Sequence, residues 1–463
     1  MTFHRLPAGR VVVANAAGEH VLLERSEFLE LSEGRLEDLR LIRLLRSKHI
    51  IRDPADSLPV ELLALKVRTR YAALAEFTKL HIFVVTLRCE HSCQYCQVSR
   101  RSSNREGYDM SEATAVAALD VAFRTPSSSL KIEFQGGEPL LNFELIQFIV
   151  QQAEQRALEL DKDVSFVITT NLALLDDNVI RFCRTHDIGI STSLDGPRDI
   201  HNANRPRPGQ NSWELAVEGI RRVQEELGHN SIAALMTTTE ASLGRAVEIV
   251  DTYVELDLLD VFLRPISPYG LAIRSRSHLA YDVEAWLRFY SDGLSHILDL
   301  NRLGVPVVER YAAVILRKML TNDESGYVDL RSPAGIGIAA IVYNYDGDVY
   351  ASDEGRMLAE MADTTFRLGN LHEDQYEDFV LGEALLAPLD ESFALSAPMC
   401  SECAFERYCG ADPVYHHATT GDFLGRKPLS AFCQRNTGVF ELLVERHHDD
   451  SFARGQFRKW ASR

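Results

Sequence analysis

Three cysteines fall within eight residues, spaced Cys89-x3-Cys93-x2-Cys96. In a reducing compartment, thiols this close together bind metal more readily than they form disulfides. Three thiolates are one short of the four ligands that structural zinc and a four-iron cluster expect. Either His91 or a distant group closes a zinc knuckle, or one position stays open for chemistry. A second group, Cys400-x2-Cys403-x5-Cys409, is joined by Cys433 beyond a loop of 23 residues. Four thiolates make a closed site that suits zinc or an iron–sulfur cluster. His416-His417 are weaker candidate ligands there. The eighth cysteine, Cys183, lies in the helical pattern Val179–Cys183 and reads as a core thiol.

The elements that must position these groups follow from periodicity. The apolar, β-branched run 81–87 reads as a buried strand, so the first three cysteines occupy the loop that leaves it. Further strands are expected at 130–135, 165–170, 188–193, 231–237 and 260–264. Amphipathic helices are expected between them at 111–124, 142–160, 175–186, 212–227 and 242–256. Strands alternating with helices imply a parallel α/β architecture, whose site forms at the carboxyl ends of the strands. Polar and glycine-rich groups fall at those ends: Cys89, then Gly136-Gly137-Glu138-Pro139, Asn171, Ser193-Leu194-Asp195, and Arg264. Two glycines in succession permit close approach of backbone to a ligand, and Glu138 can accept hydrogen bonds from an ammonium group.

The chain divides into residues 1–76, a small α+β module with a hairpin through Asn15–Gly18; 77–266, the α/β body; 267–330, a helical linker; 331–440, which carries a short β region and the second cysteine group; and a tail at 441–463. The 463 residues are 46% hydrophobic, enough for a sizeable core, and the net charge of −18 argues against a nucleic-acid partner. No run approaches the roughly 18 apolar residues of a membrane span, and the N-terminus has no apolar secretory segment. A cytoplasmic setting without membrane contact is expected.

The Cys89/Cys93/Cys96 spacing after a first strand, with GGEP after the second, resembles the radical S-adenosylmethionine (SAM) superfamily over about residues 80–266. The resemblance implies a partial (β/α)6 TIM-like barrel. It also implies that Cys89, Cys93 and Cys96 hold a [4Fe–4S] cluster whose open iron is chelated by SAM, with Gly136, Gly137, Glu138, Asn171, Ser193, Asp195 and Arg205 around the cofactor. An electron from the cluster then cleaves SAM to a 5′-deoxyadenosyl radical that takes hydrogen from the substrate. No acid or base can be singled out; Asp353 and Glu354 are merely near in chain order.

The C-terminal part is similar to SPASM domains, the auxiliary-cluster modules of peptide-modifying members. Three of their cysteine positions are missing: Gly347-x4 leads to Ser352, the x3 after Cys409 leads to Pro413, and Ser332–Gly335 holds none. The resemblance therefore implies one auxiliary [4Fe–4S] cluster, on Cys400, Cys403, Cys409 and Cys433, with the other lost. Stretches 83–89, 96–100, 134–139 and 343–358 look like the B-type radical SAM maturase of the His-Xaa-Ser system. That implies a precursor-peptide substrate and a small electron donor such as flavodoxin or ferredoxin. The N-terminal module more faintly resembles domains that bind leader peptides by adding a strand. Alternatives are a sulfatase-maturing type of protein oxidation and a non-catalytic metal-bound peptide carrier.

Overall fold

A computed structural model describes residues 1–269, 281–321, 323, 326 and 328–462. The part of the expected linker at 270–280, with 322, 324, 325 and 327, lies outside the described residues. The chain forms two compact units, one from Met1–Ala75, Tyr311–Gly335 and Leu389–Arg463, the other from Glu76–Arg310 and Ile336–Pro388.

The unit holding the N-terminus begins with β1 (Thr2–Arg5), β2 (Val11–Ala14) and β3 (His20–Leu23), an antiparallel sheet in that order. The hairpin expected from sequence is the β2–β3 pair, in register Val13↔Val21. Val11, Val13, Val21 and Leu23 bury against Leu41 and Leu45 of the helix Leu39–Ser47, whose N-terminus is capped by Asp38. The same unit contains the helices Pro413–Thr420, Ala431–Asp449 and Ser451–Ala461.

In the second unit, β4 (Leu80–Thr86) leads into the short β5 (Arg88–Cys89), which pairs in parallel with β6 (Arg101–Ser102). The series continues with β7 (Ser129–Gly136), β8 (Asp163–Thr169), β9 (Gly189–Ser193), β10 (Ile232–Leu235), β11 (Asp260–Val261), β12 (Val308–Glu309), β13 (Ala340–Tyr343), β14 (Asp348–Tyr350) and β15 (Arg367–Asn370). The main sheet runs β10-β9-β8-β7-β4-β13-β14-β15. Its first six strands are parallel and its last two join antiparallel. This is the expected α/β class.

β4 is covered on both faces, so Phe83, Val84 and Val85 are fully buried, which is why it reads as an unbroken apolar run. The helix Phe143–Leu160 buries Leu145, Ile146, Ile149, Val150, Ala153 and Ala157, spaced by three and four. Each large aliphatic side chain among them contributes roughly 1.5–3 kcal/mol. The sixth expected strand departs from expectation: it shortens to Asp260–Val261 and pairs with β12 rather than with β10. Beside β4 the sheet gains β13, drawn from much later in the chain. No helix among the described residues is long and apolar enough to cross a membrane.

Candidate active site

The parallel strands deliver their carboxyl ends to one rim around a cavity of about 220 Å³. Cys89, Cys93, Cys96, Gly136, Gly137, Asn171, Ser193 and Arg205 line it. Glu138 and Asp195 are fully buried and do not line it. They brace the groups that do.

The Glu138 carboxylate accepts hydrogen bonds from Leu140 N (3.1 Å), the Thr170 hydroxyl (2.7 Å) and Asn171 N (2.9 Å). Burial, then the Glu90 carboxylate, pushes it up to about 7. Glu138 thus ties the turn after β7 to the end of β8, which presents Asn171. The Gly136-Gly137 pair has an equally local reason. A Cβ on Gly136 would lie 2.0 Å from the Thr86 carbonyl oxygen, and one on Gly137 2.3 Å from that of Arg88. The glycines let the ends of β4 and β7 close together, with Gly137 N donating to Thr86 O and Glu138 N to Arg88 O.

Asp195 anchors the other side. It accepts from the Tyr95 hydroxyl (2.5 Å), Arg205 Nε (3.1 Å), Asn204 Nδ2 (3.3 Å) and Thr237 N (3.2 Å). Burial alone would raise its pKa, but Arg205 and His201 hold it below the ordinary carboxylate value. The Arg205 guanidinium also lies over the Tyr95 ring, at 5.2 Å. A buried pair of this kind costs about 3–5 kcal/mol when one partner is removed, so the pair places Tyr95, between two of the cysteines, firmly.

Next to Cys89, Glu90 takes hydrogen bonds from Asn171 Nδ2 (2.7 Å) and pairs with His91 Nδ1 (2.8 Å). His91 and His201 both reach the Ser212 hydroxyl through Nε2, at 2.8 and 3.0 Å. This chain of contacts occupies His91, the sequence candidate for a fourth ligand.

The donor set fits an iron–sulfur cluster. Three soft sulfur donors share one cavity wall. Burial raises the Cys89 thiol strongly and brings Cys93 to about 12, with Arg205 pulling Cys93 the other way. Such thiols ionise only against strong compensating positive charge, as iron provides. The sequence reading passed over Gln97, Arg100, Glu133, Gln135 and Met357, which also line the cavity, as does Asp353. Glu133 and Gln135 alternate along β7, a signal of one sheet face that periodicity carries. Asp353 arrives from a distant segment and has no local signal.

The second cysteine group lies in the other unit. Phe405 N donates to Cys403 Sγ (3.4 Å) and Asn436 Nδ2 to Cys409 Sγ (3.7 Å). Ser430 caps the helix Ala431–Asp449 by accepting from Cys433 N at 3.2 Å. Donors aimed at sulfur suit thiolates bound to metal. Burial raises Cys400 and Cys409, and takes Cys403 to about 11. Both ring nitrogens of His416 are engaged, with Asp412 O and the Ser430 hydroxyl, which leaves it no lone pair for a metal. The three positions lacking cysteine carry structural duties. Ser352 caps the helix Asp353–Ala359 through Gly355 N, Ser332 accepts from Ala394 N, and Pro413 opens the helix Pro413–Thr420.

Residues 83–248 match the family model of the radical SAM superfamily; the chain carries a radical SAM domain, which implies SAM and a [4Fe–4S] cluster. An uncharacterized protein of Methanocaldococcus jannaschii, MJ0907, is 34% identical over 27% of this chain, a match spanning only 41% of that relative. The cysteine-type anaerobic sulfatase-maturating enzyme of Clostridium perfringens is 22% identical over 69% of this chain and 84% of its own length. The solved structure of native anSMEcpe with bound AdoMet and Kp18Cys peptide superposes with a TM-score of 0.67 at 17% identity, covering 83% of this chain and 99% of that one.

Proposed function

We propose that the protein reductively cleaves SAM and uses the resulting radical to modify oxidatively, or crosslink, a ribosomally made precursor peptide. The observation that carries this is the single cavity in which Cys89, Cys93 and Cys96 face Asn171, Ser193 and Arg205 at the strand ends. Bound there, the cluster and SAM supply the radical. The protein's residues do the rest. Cys89, Cys93 and Cys96 bind iron and leave one position open. Gly136 and Gly137 bring backbone to the cavity, Asn171, Ser193 and Arg205 orient the cofactor, and Glu138 and Asp195 hold those residues in place. Glu133 and Asp353 supply the carboxylates that line the cavity.

Cys400, Cys403, Cys409 and Cys433 would hold one auxiliary cluster in this reading, which would supply an electron acceptor for oxidation of the substrate. The finer kinship is with the B-type maturases of the His-Xaa-Ser system, with a small iron–sulfur or flavin protein as electron donor. A sulfatase-maturing type of protein oxidation is the second reading, favoured by the relative from Clostridium perfringens.

Anaerobic reconstitution with iron and sulfide, followed by SAM, reductant and a candidate peptide, tests the proposal. About eight irons per chain and production of 5′-deoxyadenosine are expected. About four irons would remove the auxiliary cluster from the scheme, and bound zinc without SAM cleavage would overturn the enzyme reading. Cys403→Ala should keep SAM cleavage and lose peptide product; an unchanged yield would exclude an electron-accepting role for the second site.

A further inference from the structure

Lys427, beside the second cysteine group, is only 6% exposed. Its Nζ donates to Leu424 O at 2.6 Å, and it has no ion-pair partner among the described residues. A lysine is seldom buried unless a negative group balances it, because taking an ammonium out of water is costly. The acids of this region have other duties. Glu406 pairs with Arg407 at 2.9 Å, Asp412 caps the helix Pro413–Thr420 through Val414 N and Tyr415 N, and Asp422 accepts from Gly425 N.

Sulfur supplies the balancing charge. Burial raises the Cys400 thiol, and the Lys427 ammonium pulls it the other way, towards the anion. Burial, then Lys427, also push the His416 ring down to about 4, so His416 brings no positive charge at neutral pH. Of the other cations, Arg407 is paired with Glu406, and Arg435 lies over the Phe432 ring at 5.5 Å. The backbone fixes this placement. Lys427 opens the short turn Lys427–Leu429, and Ser430 N donates to Lys427 O at 3.2 Å. The Ser430 hydroxyl accepts from Cys433 N and meets His416 Nε2 at 2.9 Å. One short segment thus carries the lysine, the helix cap and the fourth cysteine.

Thiolates give a bound cluster negative charge, and each electron taken up adds to it. A fixed cation beside the sulfurs favours the reduced form, and burial limits its screening by salt. We propose that Lys427 is the counter-ion of the metal site formed by Cys400, Cys403, Cys409 and Cys433, and that it raises the reduction potential of that site. The step it governs is the transfer of one electron into the cluster, in the test from dithionite, with no bond formed or broken at Lys427. The proposal rests on the auxiliary-cluster reading above and names the residue that makes the site an electron acceptor.

The test uses the full chain carrying C89A, C93A and C96A, so that the second cysteine group alone holds a cluster, reconstituted anaerobically with iron and sulfide. About four irons are expected. Titration with dithionite and mediator dyes, followed by electron paramagnetic resonance, gives the midpoint potential. K427M should lower it by at least about 59 mV, a tenfold fall in the reduced-to-oxidised ratio at a fixed potential. K427R keeps the charge and should hold that ratio within about threefold. Where K427M loses iron, K427Q takes its place. Iron kept only by K427R supports the counter-ion role, and iron lost from all three overturns it, since the position then serves packing alone. Zinc or no metal in the C89A/C93A/C96A chain removes the auxiliary-cluster reading and this proposal with it. A full iron complement with an unmoved midpoint in K427M sinks the role of Lys427 alone.

Discussion

At the scale of single residues, Glu138 shows how a family signature can act through the frame rather than at the ligand. Its two oxygens are spent on Thr170, Asn171 and Leu140, so in the proposed SAM site it would act through Asn171. Glu138→Gln turns one acceptor into a donor facing a donor, which costs about 1–3 kcal/mol, and should weaken SAM binding measured by calorimetry. The pH dependence has a definite sign. The carboxyl is raised from 4.5 to about 7, so the folded chain holds this proton more tightly than the unfolded one. Its stabilising contribution is full below about pH 4.5 and is lost as pH rises to about 7. The unfolding free-energy advantage of the unmodified, metal-free chain over the E138Q variant, measured by denaturant titration, should therefore shrink from pH 5 to pH 8, by up to about 3 kcal/mol at about 1.4 kcal/mol per unit. An advantage that grows with pH would show that the hydrogen bonds outweigh burial.

At the scale of elements, the strand–helix alternation from residue 80 to 256 was legible because each piece buries one face and declares it by period. β4 and the helix Phe143–Leu160 are plain cases. The cysteines and the glycine pair were legible as a site because both follow strand ends. Their physical role was less so: Gly137 needs no side chain because the Arg88 and Leu87 carbonyls occupy that space, a contact between residues 49 and 50 positions apart that no local pattern reports. Gly137→Ala should destabilise the chain by more than about 2 kcal/mol, since rigid backbone cannot move aside. Gly455→Ala is the matched contrast. It sits in the helix Ser451–Ala461 with nothing within 4 Å of an added Cβ, so it should stabilise by about 0.5–1 kcal/mol. Thermal melts of the two variants check both signs. β11 and β13 mark where local reading runs out. Asp260–Val261 has strand composition but pairs with β12 and not with β10, while Ala340–Tyr343 takes the place beside β4. Which strand wins such a place depends on packing across the sheet, not on its own residues.

At the scale of the whole molecule, the second cysteine group shares a compact unit with the first 75 residues, and the contacts inside that unit join them. The Arg70 side chain, 2% exposed, donates to the carbonyls of Ala17 and Arg407. The Tyr408 hydroxyl meets His20 Nδ1 at 2.8 Å, and the His4 ring packs on Phe405 with centroids 4.7 Å apart. Residues 405–408, lying between Cys403 and Cys409, thus touch both β1 and β3. No periodicity in the sequence announces such a union of distant stretches; a buried arginine becomes intelligible only when its partners are seen. Metal binding to a site formed by folding contributes directly to stability, and here that contribution should spread to the N-terminal sheet. In hydrogen exchange on reconstituted protein, Cys403→Ala should speed exchange at Val11–Ala14 and His20–Leu23 as well as around the cysteines, while β4 and β7 keep their protection because Cys89, Cys93 and Cys96 are untouched. Local acceleration confined to 400–433 would mean that the contacts of Arg70 and Tyr408 hold without the metal. Faster exchange at β4 as well would mean that the two units unfold as one.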